Sequence, residues 1–257
     1  SLKRRSSRRV ASGRAASGRA APRRDGLECL EPRLLLTSSS ARVTDGMLTI
    51  EMTTSDDVRI SAVGANLRVE FGPHGGVLTI DDTFGTFTAA SINTINVMAG
   101  GGNSSIDLSP VSAGSFTSLS SGNVIIDAGD GDDLVRAPLD IATSVLAGDG
   151  TDTVFGSTRN DTLNGGNGRD LIDGGAGNDS ILGGDGADTL SGGSGLDTID
   201  GGSSADSISG GTDVDSLIGG SSSDTINGDI GDDFIDGGTG SDELDGGVGD
   251  DQIFGNS

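Results

Sequence analysis

Twelve aspartates recur at intervals of nine residues in the second half of the chain, a spacing that suits repeated metal binding. Each aspartate ends a glycine-rich turn, and an aliphatic residue follows two positions later. A carboxylate beside the carbonyl oxygens of such a turn forms an oxygen-only ligand set. Calcium accepts about six to eight such ligands in flexible geometry, whereas magnesium demands near-octahedral geometry and keeps several waters. The aspartates are Asp152, Asp161, Asp170, Asp179, Asp188, Asp197, Asp206, Asp215, Asp224, Asp233, Asp242 and Asp251.

The nine-residue unit, numbered from Ala147 as position 1, predicts its own secondary structure. Positions 1–6 form a turn, and positions 7–9 form a short strand whose middle side chain points inward while its neighbours point outward. Position 8 is Val, Leu or Ile in every unit, which predicts the core. Position 7 is Thr or Ser in eight of the twelve units, which is typical of an exposed β surface.

Two further units precede this array. Residues 128–136 place Asp133 sixth and Val135 eighth, and a spacer containing Pro138 separates them from residue 147. Residues 99–107 fit the same template with Ser104 in the aspartate position, which predicts a coil of the same shape without a metal.

The units resemble the calcium-binding nonapeptides of the repeats-in-toxin (RTX) family, also called hemolysin-type calcium-binding repeats. Six turns match the Gly-Gly-x-Gly-x-Asp pattern in full: 165–170, 174–179, 183–188, 192–197, 237–242 and 246–251. The resemblance covers about half the chain and implies an all-β parallel β-roll (a β-solenoid). In such a roll two units make one coil, and several calcium ions lie between stacked turns.

The resemblance also implies the metal ligands. Carboxylate ligands would come from Asp133 and the twelve aspartates above, and carbonyl ligands from glycines of the six matching turns. These glycines are Gly165, Gly168, Gly174, Gly177, Gly183, Gly186, Gly192, Gly195, Gly237, Gly240, Gly246 and Gly249.

Stability considerations favour a role for the ions. One buried aliphatic side chain for every nine residues contributes far less than the conformational entropy lost on ordering them, and stacked aspartates repel one another. We therefore expect the array to be largely unfolded without calcium and to fold on binding it. The alternative is a metal-free solenoid in which aspartate serves only as a turn former.

The turns are not uniform at position 4. Ser204, Asp213 and Ser222 replace glycine in three consecutive units, which predicts weaker or vacant sites between tight sites at 165–200 and 228–254. Arg159 also replaces glycine, either as a cation beside Asp161 or as an ordinary exposed side chain.

Residues 41–127 lack the period but carry strand signals. Apolar and polar residues alternate at 47–52, 58–63, 66–71, 77–80 and 91–97, with turn residues between them. We expect a β-rich lead-in of irregular solenoid coils or, alternatively, a small separate β-sandwich. The predicted division of the chain is therefore 1–40, 41–127 and 128–257.

Residues 1–40 differ in composition from the rest. Ten of the sixteen basic residues lie in residues 1–33, which predicts a disordered basic leader, whereas residues 41–257 carry six basic and thirty-six acidic residues. Leu30-Glu31-Pro32-Arg33 before Leu34-Leu35-Leu36 is similar to the LEPR-XLL motif near the start of large bacterial surface and secreted proteins. Cys29 lies here as the chain's one cysteine, so no internal disulfide is possible.

Catalytic signals are missing from the sequence. His74 is the one histidine and lies in a predicted turn, and no zinc-protease motif, nucleophile elbow or Walker loop is present. No apolar run is long enough for a transmembrane segment, and the acidic body would repel nucleic acid. The sequence thus predicts no enzyme, no transmembrane segment and no nucleic-acid partner.

The leading hypothesis is a non-enzymatic calcium-binding module of the bacterial cell surface or extracellular space, with a structural or adhesive role. Cell-surface or matrix components are its candidate partners, and free calcium of about 10⁻⁴–10⁻³ M outside cells suits such modules. The alternative is the accessory C-terminal part of a secreted protease or lipase whose catalytic domain lies outside this chain. A third hypothesis, binding to ice through a threonine ladder, is weakened where Leu171 and Phe234 interrupt position 7.

Overall fold

The computed structural model describes residues 40–44, 47–52, 57–63, 66–72, 77–80, 92–119 and 124–256, and these form an all-β chain. A short 3-10 helix occupies Thr117–Leu119. The strands are β1 (Ser40–Thr44), β2 (Met47–Glu51), β3 (Asp57–Val63), β4 (Asn66–Gly72), β5 (Val77–Ile80), β6 (Thr94–Met98), β7 (Ser105–Asp107), β8 (Val124–Asp127), β9 (Leu134–Arg136), β10 (Thr143–Asp149), β11 (Thr153–Ser157), β12 (Thr162–Asn167), β13 (Leu171–Ala176), β14 (Ser180–Asp185), β15 (Thr189–Ser194), β16 (Thr198–Ser203), β17 (Ser207–Thr212), β18 (Ser216–Ser221), β19 (Thr225–Ile230), β20 (Phe234–Asp236), β21 (Glu243–Asp245) and β22 (Gln252–Phe254).

The strands of the repeat array alternate between two sheets. From β6 onward, even-numbered strands join sheet 1 and odd-numbered strands join sheet 2, all in parallel. In the array each residue pairs with the residue 18 positions later, as Leu163 pairs with Ile181 and Ile172 with Leu190. Two nine-residue units therefore make one coil, and the predicted parallel β-roll is confirmed.

The lead-in strands belong to the same two sheets. Strand β2 pairs in parallel with β6 in sheet 1, and β3 pairs in parallel with β7 in sheet 2. Antiparallel strands end both sheets at this side, because β1 pairs with β2, β4 with β3, and β5 with β4. Strands occur in all five predicted segments, whereas β1 was not predicted. The division into 41–127 and 128–257 stays a prediction.

Several predictions from the sequence fall outside the described residues. They concern most of the basic leader, the LEPR-XLL-like motif at 30–36, Cys29 and His74. Among the residues that the structure does describe, no helix is long and apolar enough to cross a membrane.

The core of the repeat array consists of the aliphatic position-8 side chains, which lie between the two sheets. The position-8 residues from Val154 to Ile235 are at most 2 % exposed. The largest fully buried side chain, Phe116, and the additional buried residues Leu108 and Leu119 lie in the lead-in coils, whereas beyond Ala147 the buried apolar residues are those of position 8. The lead-in coils therefore bury more apolar volume, while each later coil buries little beyond its two position-8 residues.

Tight stacking explains the turn glycines. Gly184 has φ +110°, and a Cβ atom added to it would overlap the carbonyl oxygen of Gly166 in the preceding coil. At position 4, Ser204, Asp213 and Ser222 keep the left-handed conformation although they are not glycine, with φ of 81°, 79° and 92°. The coil stacking imposes this conformation on residues that seldom adopt it.

Neighbouring residues of β13 test the core. Ile172 is fully buried and Leu171 is 43 % exposed. We expect Ile172→Ala to destabilise the calcium-loaded chain by about 2–5 kcal/mol, because it leaves a cavity among the buried position-8 side chains. Leu171→Ala is the matched control and should change stability by less than about 1 kcal/mol. Urea denaturation followed by circular dichroism measures both values, and equal losses would contradict the assigned strand faces.

Candidate metal centre

The position-6 aspartates form two columns, one on each turn edge of the roll. In each column the backbone N–H of one aspartate donates to Oδ1 of the aspartate in the next coil. These N···O distances lie between 2.7 and 3.1 Å. The first column contains Asp133, Asp152, Asp170, Asp188, Asp206, Asp224 and Asp242; the second contains Asp161, Asp179, Asp197, Asp215, Asp233 and Asp251.

Other residues head the two columns. Ser104 N–H donates to Asp133 Oδ1 at 2.6 Å, and Thr143 N–H donates to Asp161 Oδ1 at 2.7 Å. Ser104 thus supplies the backbone contact of a coil but no carboxylate, as the sequence predicted for residues 99–107.

The second carboxylate oxygen has no hydrogen-bond partner in eleven of these aspartates, although it is buried. A buried acceptor without a partner costs free energy, and an ionised one costs more. An array of such oxygens therefore indicates a bound group that the protein itself does not supply. The oxygens are Oδ2 of Asp133, Asp152, Asp170, Asp179, Asp188, Asp197, Asp206, Asp215, Asp224, Asp233 and Asp242.

From Asp170 onward each Oδ2 faces a space kept open by the glycine at position 1, whereas the units of Asp133 and Asp152 have Ala128 and Ala147 at that position. A Cβ atom added to Gly183 would lie 2.6 Å from Asp188 Oδ2 and 2.5 Å from the carbonyl oxygen of Gly201 in the next coil. Gly192 and Gly210 hold the same relation in the second column, beside Asp197 Oδ2. A carboxylate oxygen and a carbonyl oxygen thus converge where any larger residue would fill the space.

The predicted glycines divide into two groups in the structure. The carbonyl oxygen at position 1 lies beside Oδ2 of the preceding coil. The carbonyl oxygen at position 4 instead lies against the position-4 residue of the following coil, as Gly168 O does against Gly186. Within the described residues, no three acidic, histidine or cysteine side chains converge on one point. An ion here would take most of its ligands from backbone carbonyls, a donor set that suits calcium better than a transition metal.

Burial shifts the acidity of the columns. Desolvation raises the pKa of Asp152 and Asp170 to about 6, and that of Asp179, Asp206 and Asp215 to about 7. A hydrogen bond from the preceding coil's backbone opposes the shift, while neighbouring aspartates add to it by repulsion. A cation between the turns would offset both the desolvation of the carboxylates and the repulsion between them.

The three units without glycine at position 4 keep the same arrangement. Asp206, Asp215 and Asp224 accept ladder hydrogen bonds at 2.8, 2.8 and 2.9 Å, and their Oδ2 atoms have no partner. The turn shape thus continues through 201–227, and weaker ion binding there stays a prediction.

Asp161 departs from the pattern. Its Oδ2 accepts a hydrogen bond from Ser157 N–H at 2.6 Å, and its Oδ1 also lies 3.2 Å from Ser157 Oγ. Arg159 is exposed, and its Nε donates to the carbonyl oxygen of Asp140 at 3.3 Å. The contact observed for Arg159 is therefore with the preceding coil and not with Asp161.

Sequence analysis missed the hydrogen bonds of the columns. The 18-residue repeat of aspartate could have suggested them, because a residue at position 6 meets its equivalent in the next coil. Sequence analysis also missed the exposed row at position 3, where Asn167 donates to Asp149 and Ser203 donates to Asp185. These exposed pairs join neighbouring coils outside the buried columns.

A family model of the RTX calcium-binding nonapeptide repeat, in four copies, matches residues 120–137, 146–181, 182–217, 209–244 and 228–257. Together these ranges cover about half the chain, including both columns of aspartates. No curated protein matches the chain significantly.

The raised pKa values predict a pH dependence for the metal-free chain. An aspartate whose folded pKa is about 6–7 and whose unfolded value is 3.8 binds more protons when folded, so folded-state stability falls as pH rises from about 4 to about 7. In chelator, we expect the β signal in circular dichroism to increase as pH falls from about 8 to about 5. A chain that loses β signal over this range would contradict the prediction. Saturating calcium is the control and should remove the gain, because the carboxylates then hold cations instead of protons.

Proposed function

Because the chain belongs to the RTX calcium-binding nonapeptide repeat family, we propose that its β-roll binds several calcium ions between stacked turns and becomes fully ordered only when they bind. The buried, unpaired Oδ2 atoms carry this proposal, since they need a cation to be stable in the folded state. The ligands proposed are the column carboxylates other than that of Asp161, whose Oδ2 is hydrogen-bonded, and the turn carbonyls, those of position 1 above all.

In the proposed mechanism each column residue performs two tasks. Oδ1 accepts the backbone N–H of the preceding coil and so fixes the orientation of the carboxylate, as Asp188 does for Asp170 N–H at 2.8 Å. Oδ2 is then held toward the space beside the position-1 glycine, where it would contact the ion. Bound calcium supplies positive charge between carboxylates that otherwise repel one another.

We further propose a non-enzymatic structural or adhesive role at the bacterial surface or outside the cell. Two observations support it: the carboxylates of both columns are committed to coil stacking, and the outer sheet faces present many small hydroxyl residues such as Thr189 and Ser207. Calcium outside the cell would keep the roll rigid, while the low free calcium of the cytosol would leave it unfolded. Surface or matrix components are the proposed partners.

Calcium titration of the full chain tests the proposal. In chelator at neutral pH we expect a largely unfolded circular dichroism spectrum, with cooperative appearance of β signal as calcium is added. A compact chain whose β signal and heat resistance are the same in chelator and in calcium would refute calcium-dependent folding.

Two aspartates of one turn give a matched comparison. Asp188 belongs to the first column, whereas the exposed Asp185 accepts a hydrogen bond from Ser203 Oγ. Asp188→Asn keeps an acceptor for Asp170 N–H but removes the charge beside the ion, so the calcium concentration at the folding midpoint should rise about tenfold. Asp185→Asn should leave the midpoint within about twofold. Equal midpoints for the two variants would show that the column carboxylates are not ligands.

A further inference from the structure

We propose that the turn 156–161 holds no calcium and that hydrogen bonds from Ser157 take the place of the ion. The inference rests on the proposed function, because it identifies the one fully buried column aspartate that does not fit the metal. Asp161 is 2 % exposed, like the next members of its column from Asp179 to Asp233, yet neither of its oxygens lacks a partner.

The carboxylate of Asp161 is saturated by donors of its own protein. Oδ2 accepts Ser157 N–H at 2.6 Å, and Oδ1 accepts Thr143 N–H at 2.7 Å with Ser157 Oγ at 3.2 Å. In the next coil of the same column, Asp179 Oδ1 accepts Asp161 N–H at 2.8 Å, but Asp179 Oδ2 has no partner. These hydrogen bonds occupy both oxygens of Asp161 and so take the place that a cation would fill at this turn.

The local sequence explains why this turn closes. In the following turns of the column, position 2 lies in the left-handed region, as Gly175 and Gly193 do with φ of +98° and +101°, and as the non-glycine Asp229 does with φ of 67°. Neither Ser157 nor Arg159 has a positive φ. The backbone therefore turns differently, and the N–H of Ser157 points at Asp161 while its Oγ accepts Arg159 N–H at 3.0 Å.

The coil before this turn offers no carboxylate to the column. Thr143 stands 18 residues before Asp161 and contributes only its backbone N–H, while its hydroxyl donates to Ile141 O at 3.0 Å. Contacts to that coil are ordinary hydrogen bonds, as from Thr158 N–H to Leu139 O at 2.9 Å. The second column thus begins with a metal-free level, and its first calcium level is the turn of Asp179.

This level coincides with a change in what stabilises the roll. Up to Ala147 the coils bury several apolar side chains each, whereas beyond it the buried apolar residues are the position-8 residues alone, one per unit. The turn 156–161 therefore joins coils held by apolar packing to coils that need ions. The first calcium-dependent turn of the second column therefore stacks on a turn that is ordered before calcium binds.

Counting bound calcium ions tests the inference. Native mass spectrometry of the full chain in calcium should give the same number of ions for Asp161→Asn as for the natural sequence, and fewer ions for Asp179→Asn. Loss of an ion in Asp161→Asn while the far-ultraviolet circular dichroism of the loaded chain is unchanged would overturn the inference. Absence of specific calcium binding by the natural sequence would instead refute the proposed function, so the two failures are distinguishable.

A second variant covers the case in which Asp161→Asn disturbs folding. The double substitution Ser157→Gly/Arg159→Gly places glycine at positions 2 and 4. It removes the Ser157 hydroxyl and allows a left-handed turn in which the backbone N–H of residue 157 no longer points at Asp161. We expect the calcium count of this variant to exceed that of the natural sequence, because Asp161 Oδ2 is released. An unchanged count in a variant that folds with calcium would overturn the inference. The exposed substitution Thr158→Gly is the control and should leave the count unchanged.

Discussion

One hydrogen bond organises both turn edges of the roll: the backbone N–H of a column aspartate donates to Oδ1 of the aspartate in the next coil. The contact is repeated at a nearly constant distance, as at 2.8 Å for Asp188 and 2.8 Å for Asp206. It satisfies a backbone donor that the strands leave unpaired at the end of the turn. Because it uses only one carboxylate oxygen, it also creates a buried acceptor that the protein leaves without a partner.

The geometry that stacks the coils is thus the geometry that presents ligands to an ion. Glycine at position 1 leaves room beside Oδ2, and the next coil's carbonyl borders the same space, as for Gly183, Asp188 and Gly201. A larger residue would fill the space, and a different turn would redirect the carboxylate. Stacking and ion binding therefore depend on the same few atoms, which is why we expect folding and calcium binding to be coupled.

Two sources of stability follow one another along the chain. Phe116, Leu108 and other bulky side chains pack the lead-in coils, while the later coils bury little more than one aliphatic residue per unit. In the second column the unpaired oxygens begin at Asp179, where the coils bury only position-8 residues, whereas in the first column they begin at Asp133. The backbone N–H groups of Ser104 and Thr143 head the two columns, and neither residue contributes a carboxylate.

The sequence by itself determined the period, the inward face and the candidate ligands. The strands begin at position 7 as predicted, but most continue through position 3 of the next unit, as β12 does from Thr162 to Asn167, so the predicted three-residue strand was too short. A nine-residue repeat with an aliphatic residue at position 8 admits few folds, since that residue must be buried in every unit. Position 6 was predicted to be the carboxylate ligand from the same regularity and from the resemblance to the family, and this assignment stays a prediction. The positions of the lead-in strands were also predictable, because alternation of apolar and polar residues is a local property.

Only the tertiary structure decided which oxygen of each aspartate is free and which turn is closed. Those facts depend on the direction of a backbone N–H, which φ sets, and on contacts between residues 18 positions apart. In the sequence, Ser157 in place of glycine is a small change, but in the structure the Ser157 N–H points at Asp161 and donates to its Oδ2. Conversely, Ser204 in place of glycine reads as a defect, yet the neighbouring coils hold it in the left-handed conformation, and the column continues unbroken.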